Sequence, residues 1–282
     1  MNWICLRADL NTAPEDFSAL HAIFEEHGLE ATVEHDDPPG MSAYFCEDER
    51  TNERVANLGE ALMAFGAQRI VVAKVPEEDW AESWKQFIKP REIGRFFIIK
   101  PTWEPIAVTD RTVIELDPGQ AFGTGEHATT QLCLSMLEEA VEAGDSVIDI
   151  GCGSGILAIA AAKLGAQVVA TEIDPAAAQI AAENAARNGV RIEVLVADGL
   201  PAGLAAADVA VSNIVSATLI RLAPAVARLT KEGGIWIASG IIPANLPDVL
   251  SAAETAGFSE VSRREEGGWV GVCFRREPQI AG

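Results

Sequence analysis

Residues 147–175 read VIDIGCGSGILAIAAAKLGAQVVATEIDP: a strand pattern, a glycine-rich turn, an alanine-rich helix pattern, a second strand pattern and an acid. Gly151, Gly153 and Gly155 spell GxGxG directly after the first strand. Glycines there let the chain turn sharply and let a ligand approach the backbone with no Cβ in the way. The dinucleotide fingerprint asks for a further glycine or alanine one position on, where this chain has Ile156, and that weighs against a nicotinamide site. Glu172 ends the second strand about twenty residues after Gly151, where a carboxylate accepts hydrogen bonds from ribose hydroxyls. A nucleoside is therefore expected at the carboxyl ends of these strands.

Nothing near the turn is arranged for a pyrophosphate. Asp149 would repel phosphate but can hold an ammonium, directly or through water. A ligand with ribose, adenine and an amino-acid tail suits this combination, and S-adenosyl-L-methionine is the common one. Gly151 and Gly153 would approach it by backbone and Glu172 would hold its ribose. Asp198, ending the strand pattern RIEVLVAD, is either a contact to the adenine amino group or a plain strand-end turn. Asp174 before Pro175 reads as a helix N-cap, and Asn188-Gly189 reads as the close of the same helix.

Two further stretches flank this unit. Asn213 ends the strand pattern ADVAVSNIV, where an amide can accept a hydrogen bond from an amine substrate or donate one to the methionine carboxylate. Upstream, LDPGQAFGTGEHATTQLCLSML (residues 116–137) places Gly119, Gly123 and Gly125 in a loop before a helix that begins near Thr129 and Thr130. Free backbone N–H groups and hydroxyls at such a helix start favour an anionic group. His127 has no partner carboxylates at metal-ligand spacing and reads as structural; no metal is expected. Cys152 reads as a small buried residue.

Outward from this centre, residues 105–282 alternate apolar strands with helices, including one helix pattern from Ala217 through TKEGG to Gly234. The pattern predicts an α/β fold with a seven-stranded Rossmann-like sheet covered on both faces. Its last two strands meet at Gly267-Gly268, so the last strand should run antiparallel. Residues 1–75 read as βαββαβ, a ferredoxin-like α+β domain, with a turn at DPPG (residues 37–40). Residues 76–104 form a connector that holds Trp80, Trp84 and Phe87 at helical spacing, then the strand RFFIIK.

The chain has 282 residues and a formal net charge of -21, which disfavours nucleic acid and anionic membrane surfaces as partners. Its five cysteines are scattered without a CxxC pair, so neither a disulfide framework nor a zinc site is spelled out. No signal-like start and no membrane-length apolar run is present in the sequence, and a soluble protein of the reducing cytoplasm is expected.

LDPGQAFGTGEHATT, VIDIGCGSGILAIAAAKLGA, EIDP and SNIV closely resemble successive motifs of the PrmA ribosomal protein L11 methyltransferases, a class I S-adenosylmethionine-dependent family. The GTGxHxTT segment is far more specific than GxGxG. Carried over by position, the family's cofactor contacts fall on Thr130, Gly151, Glu172 and Asn213. The family more often has Asp where Glu172 stands and Pro where Ala128 stands. The resemblance implies methyl transfer to lysine ε-amines and an N-terminal α-amine of ribosomal protein L11, with Asn213 orienting the amine and residues 1–75 recognising the protein substrate. The alternative is a lysine methyltransferase acting on another protein, such as the electron-transfer flavoprotein β-subunit. A nicotinamide oxidoreductase and an RNA-binding module are disfavoured, the first by Ile156, the second by the acidic charge.

Overall fold

Ile4, Leu6 and Ala8 are buried while Cys5, Arg7 and Asp9 between them are partly exposed, the period-two signature of a strand with one covered face. This is β1 (Trp3–Asp9) in a computed structural model that describes residues 3–11, 17, 20–21, 23–24, 27, 29, 32–36, 38–47, 51–75, 89–106, 108–117, 125 and 127–278. The chain divides into two compact units, Met1–Ile88 and Lys89–Gly282.

In the first unit β1 pairs antiparallel with β3 (Pro39–Cys46) on one side and β4 (Arg69–Val75) on the other, and β2 (Thr32–Asp36) adds to β3. The order β2-β3-β1-β4 is that of a ferredoxin-like sheet. Helix α1 (Thr51–Phe65) buries Leu58 and Leu62 against it, beside Leu20 and Phe24, whose backbone is also helical. The remainder of the expected first helix lies largely outside the described residues. Strand β3 begins earlier than the sequence suggests, taking in Pro39 and Gly40 from the expected turn. Gly40 fits there because a Cβ would collide with the Ala8 carbonyl oxygen.

The second unit opens with a small sheet, β5 (Arg91–Ile93), β6 (Phe97–Lys100) and β7 (Thr112–Glu115), in that order. Only β6 was legible as a strand, and residues 76–88 of the expected connector lie outside the described residues. The Glu138 carboxylate anchors the β5–β6 turn by accepting hydrogen bonds from the Arg95 and Phe96 N–H groups at 2.9 and 2.8 Å.

The main sheet has seven strands: β8 (Ser146–Ile150), β9 (Gln167–Glu172), β10 (Ile192–Val196), β11 (Ala207–Asn213), β12 (Thr230–Ile241), β13 (Phe258–Glu266) and β14 (Trp269–Arg276). Their order is β10-β9-β8-β11-β12-β14-β13, with β14 antiparallel to both neighbours. Helices α2 (Ala128–Ala140), α3 (Ile156–Lys163) and α4 (Pro175–Arg187) cover one face; α5 (Ser216–Leu229) and α6 (Leu246–Thr255) cover the other. Helix α5 stops at Leu229, five residues short of the expected Gly234, and Thr230–Gly234 instead begin β12. The Lys231 ammonium is held there at 2.8 Å by Asp208, and a Cβ on Gly234 would sit 2.7 Å from the Asp208 carbonyl oxygen, so this segment lies against β11 as a strand. Among the described residues no helix is long and apolar enough to cross a membrane.

Candidate active site

The chain runs from β8 outward to β9 and β10, then returns to place β11 on the other side of β8. Such a reversal opens a crevice at the carboxyl ends of the strands. A cavity of about 570 Å³ lies there, a size suited to a small-molecule site. Thr130, Gly151, Gly153, Glu172, Asp198 and Asn213, separated widely in sequence, all line it.

The glycine-rich turn forms one wall. Gly151, Gly153 and Gly155 adopt φ of 73°, 52° and 81°, the left-handed region that side chains disfavour. A Cβ on Gly151 would lie 2.7 Å from Ile214 Cγ2. The turn is tied to β9, because the Gly151 and Cys152 N–H groups donate to the Thr171 carbonyl at 2.8 and 3.0 Å. Glu172 completes the tie: its Oε2 accepts from Gly153 N at 2.9 Å, and its Oε1 accepts from Ile173 N and Asp174 N at 2.8 and 3.1 Å. The carboxylate is thus oriented at the cavity wall by three backbone donors and has lone pairs left for hydroxyl donors.

Asp149 behaves differently. It is 1% exposed and is not among the described residues that line the cavity. Strand alternation points it with Val147 toward the α3 face, where Oδ2 accepts from Ala158 N at 3.0 Å and Oδ1 has no partner. Burial pushes its carboxyl up to about 7 despite that hydrogen bond. Asp149 is thus a buried carboxylate behind the cavity wall with one oxygen, Oδ1, not hydrogen-bonded.

On the far side of the turn Asn213 Nδ2 donates to the buried Thr130 hydroxyl at 3.2 Å, joining the end of β11 to the first turn of α2. His127 is the N-cap of α2, its Nδ1 accepting from Thr129 N at 3.3 Å and lying 2.7 Å from Thr129 Oγ1. His127 also lines the cavity, and among the described residues no group of three or more His, Cys, Asp or Glu is placed to hold a metal ion. Asp174 caps α4 by accepting from Ala176 N at 2.9 Å. Asp198 stands at the rim in an ion pair with Arg221 at 3.0 Å. Cys152 is buried, and burial pushes its thiol above the usual range.

Sequence reasoning missed several lining residues: Ile173, Arg221, Gly240 and Trp269. It also missed the second role of Asn188, whose side chain accepts from Glu115 N and donates to Glu115 O, both at 2.8 Å, fastening the end of β7 to α4. For Trp269 the only signal was its place directly after Gly267-Gly268.

Comparison with known proteins agrees with this architecture. The sequence profile of the family described as Ribosomal protein L11 methyltransferase (PrmA) matches residues 11–277. The protein named ribosomal protein L11 methyltransferase from Pelotomaculum thermopropionicum is 42% identical, with 89% of this chain and 84% of that protein aligned. Its namesake from Desulforamulus reducens is 36% identical over 96% of this chain and 97% of its own. A crystal structure of ribosomal protein L11 methylase from Lactobacillus delbrueckii subsp. bulgaricus superposes with a TM-score of 0.64 at 37% identity, covering 67% of this chain and 99% of that one.

Proposed function

The chain belongs to the ribosomal protein L11 methyltransferase (PrmA) family, and on that premise we propose that it transfers methyl groups from S-adenosyl-L-methionine to lysine ε-amines and the N-terminal α-amine of ribosomal protein L11. The observation that carries this reading is one cavity in which Glu172 and the glycine-rich turn face the hydrogen-bonded Asn213–Thr130 pair. In it, Glu172 binds the ribose, Gly151 and Gly153 admit the ligand against the backbone, and Thr130 sits at its amino-acid end. The cofactor supplies an electrophilic methyl group on a sulfonium, with S-adenosylhomocysteine as the by-product.

The remaining work falls to the chain's own residues. With one of its two amide N–H groups on Thr130, Asn213 presents its carbonyl oxygen to an amine N–H and aims the amine lone pair at a carbon that must come within about 3 to 3.5 Å. A free lysine has a pKa of about 10.4, so near pH 7 roughly one in 2,500 is neutral and able to attack. Ile214 and Val215 give the amine an apolar surround that disfavours its charged form. The proton leaves to water, and no side chain is assigned as a dedicated base. Residues 1–75 grip the protein substrate, and the reaction takes place in the cytoplasm.

Incubation with methyl-labelled S-adenosyl-L-methionine and unmethylated ribosomal protein L11, followed by peptide mapping, tests the reading. Label on lysine and on the N-terminal amine, lost in Asn213→Ala, is the expected result. Label confined to another protein, such as the electron-transfer flavoprotein β-subunit, would overturn the substrate while leaving the chemistry.

A further inference from the structure

Trp269 stands on β14, at the opposite end of the cavity from Glu172 on β9 and Asp198 beyond β10. Two constraints set its position. It follows Gly267 and Gly268, whose φ of 54° and 77° make the tight turn between β13 and β14. Its ring also meets His127 edge-on, with centroids 4.9 Å apart and planes at 67°. His127 is itself fixed by Thr129. A half-buried indole held this firmly is a wall of the cavity rather than a mobile surface group.

The chemistry of this end differs from that of the other. Both lining carboxylates, Glu172 and Asp198, belong to the β9–β10 side; among the described residues the β11–β14 side has none. A lysine arm is amphipathic, and its nitrogen becomes a larger, more weakly hydrated cation with each methyl added. An indole face matches both parts, by apolar contact with the methylenes and by attraction of the cation to the ring quadrupole.

We propose that Trp269 is the acceptor-side wall of the active site: its indole receives the alkyl arm and the methylated nitrogen of the amine substrate, retaining mono- and dimethylated arms for further transfer. The inference rests on the proposed amine methylation, but its test does not depend on the identity of the protein substrate. n-Butyltrimethylammonium serves as the probe, titrated against the S-adenosylhomocysteine-loaded protein by ligand-observed NMR, with calorimetry of S-adenosyl-L-methionine alongside.

Trp269→Ala should weaken the probe by about tenfold, as expected for loss of a desolvated cation–π contact, while cofactor affinity stays within about twofold. Trp269→Phe should recover most of the binding, a rescue that a purely architectural role of the indole N–H would not give. On ribosomal protein L11, Trp269→Ala should shift the product toward amines that carry fewer methyl groups. The proposal is overturned if the wild type does not bind the probe, if Trp269→Ala binds it equally, or if cofactor affinity falls in step. A wild type that binds the probe yet leaves ribosomal protein L11 unlabelled would support the wall and sink the substrate assignment.

Discussion

The two ends of the cavity are built from different materials. At the β8–β10 end, backbone does most of the shaping: glycines with positive φ, N–H groups paired to Glu172, and a turn stitched to the Thr171 carbonyl. At the β11–β14 end, side chains do it: Ile214, Val215, His127 and Trp269 line the cavity with Asn213. A backbone-built site fits one invariant ligand, because its donors barely move and its glycines leave no room for variation. A side-chain-built site suits a reactant whose size changes from turnover to turnover. Asn213 stands where the two ends meet.

The largest expected effect comes from filling the backbone-built end. Gly151→Arg forces a side chain onto a residue at φ 73°, with Ile214 Cγ2 2.7 Å from the new Cβ. S-Adenosyl-L-methionine affinity should fall about 100-fold or more, combining backbone strain with obstruction. Gly151→Ala, with the strain and little of the obstruction, should lose less. Calorimetry on both variants, with circular dichroism to show that they are folded, checks this; an arginine variant that binds normally would remove the turn from the cofactor site.

Asn213→Ala comes next and tests the seam. Losing one or two hydrogen bonds worth about 1 to 3 kcal/mol each should lower kcat roughly 10- to 100-fold. Cofactor Kd should change by less than about threefold, the loss of the Thr130 contact being partly covered by water. Parallel losses in kcat and cofactor affinity would instead place Asn213 wholly at the cofactor end.

The same contrast explains what the sequence made legible. Glycines after a strand, an acid at the end of the next strand and Asp174 before Pro175 are local signals, because each residue type is required by the backbone conformation or cap beside it. The acceptor end depends on long-range placement. Nothing near Trp269 in sequence states that β14 inserts between β12 and β13, or that its ring meets His127. Asn188 was read correctly as a helix close, yet its bond to Glu115 could not be seen, since the partners are joined only by the tertiary fold. Thr230 was misread as helix because its strand character comes from pairing to β11 and from Lys231 reaching Asp208.

Asp149 sharpens the comparison from beneath the backbone-built end. Burial raises its carboxyl to about 7, so the folded state holds a proton that the unfolded chain has released. The stability from this preference is present in full below the unfolded value near 4 and is lost as pH rises toward 7. Asp208 has the opposite sign: Lys231 and Ser146 hold its carboxyl down to about 2, and its contribution disappears as pH falls from about 4 toward 2. Asp149→Asn should therefore flatten the decline in Tm between pH 5 and pH 8, by about 5 °C for a difference of a few kcal/mol. Cofactor affinity should hold within about threefold; a tenfold loss would return Asp149 to the ligand as an ammonium partner.

The smallest effect is expected at the rim. Asp198 was open to two readings, adenine contact or strand-end turn, and the structure adds a third group to the choice. Its carboxylate faces Arg221 at 3.0 Å with both side chains more than half exposed. Exposed ion pairs contribute about 0 to 1 kcal/mol, so Asp198→Ala should change S-adenosyl-L-methionine affinity by no more than about threefold if the pair is all that Asp198 makes. A loss of about tenfold or more would require a hydrogen bond to the ligand itself. Arg221→Ala breaks the same pair but leaves the carboxylate in place, so affinity should hold within about threefold on either reading of Asp198; a larger loss would place Arg221 itself against the ligand. Two titrations thus decide whether the polar character of the β8–β10 end extends to its outer edge or stops at Glu172.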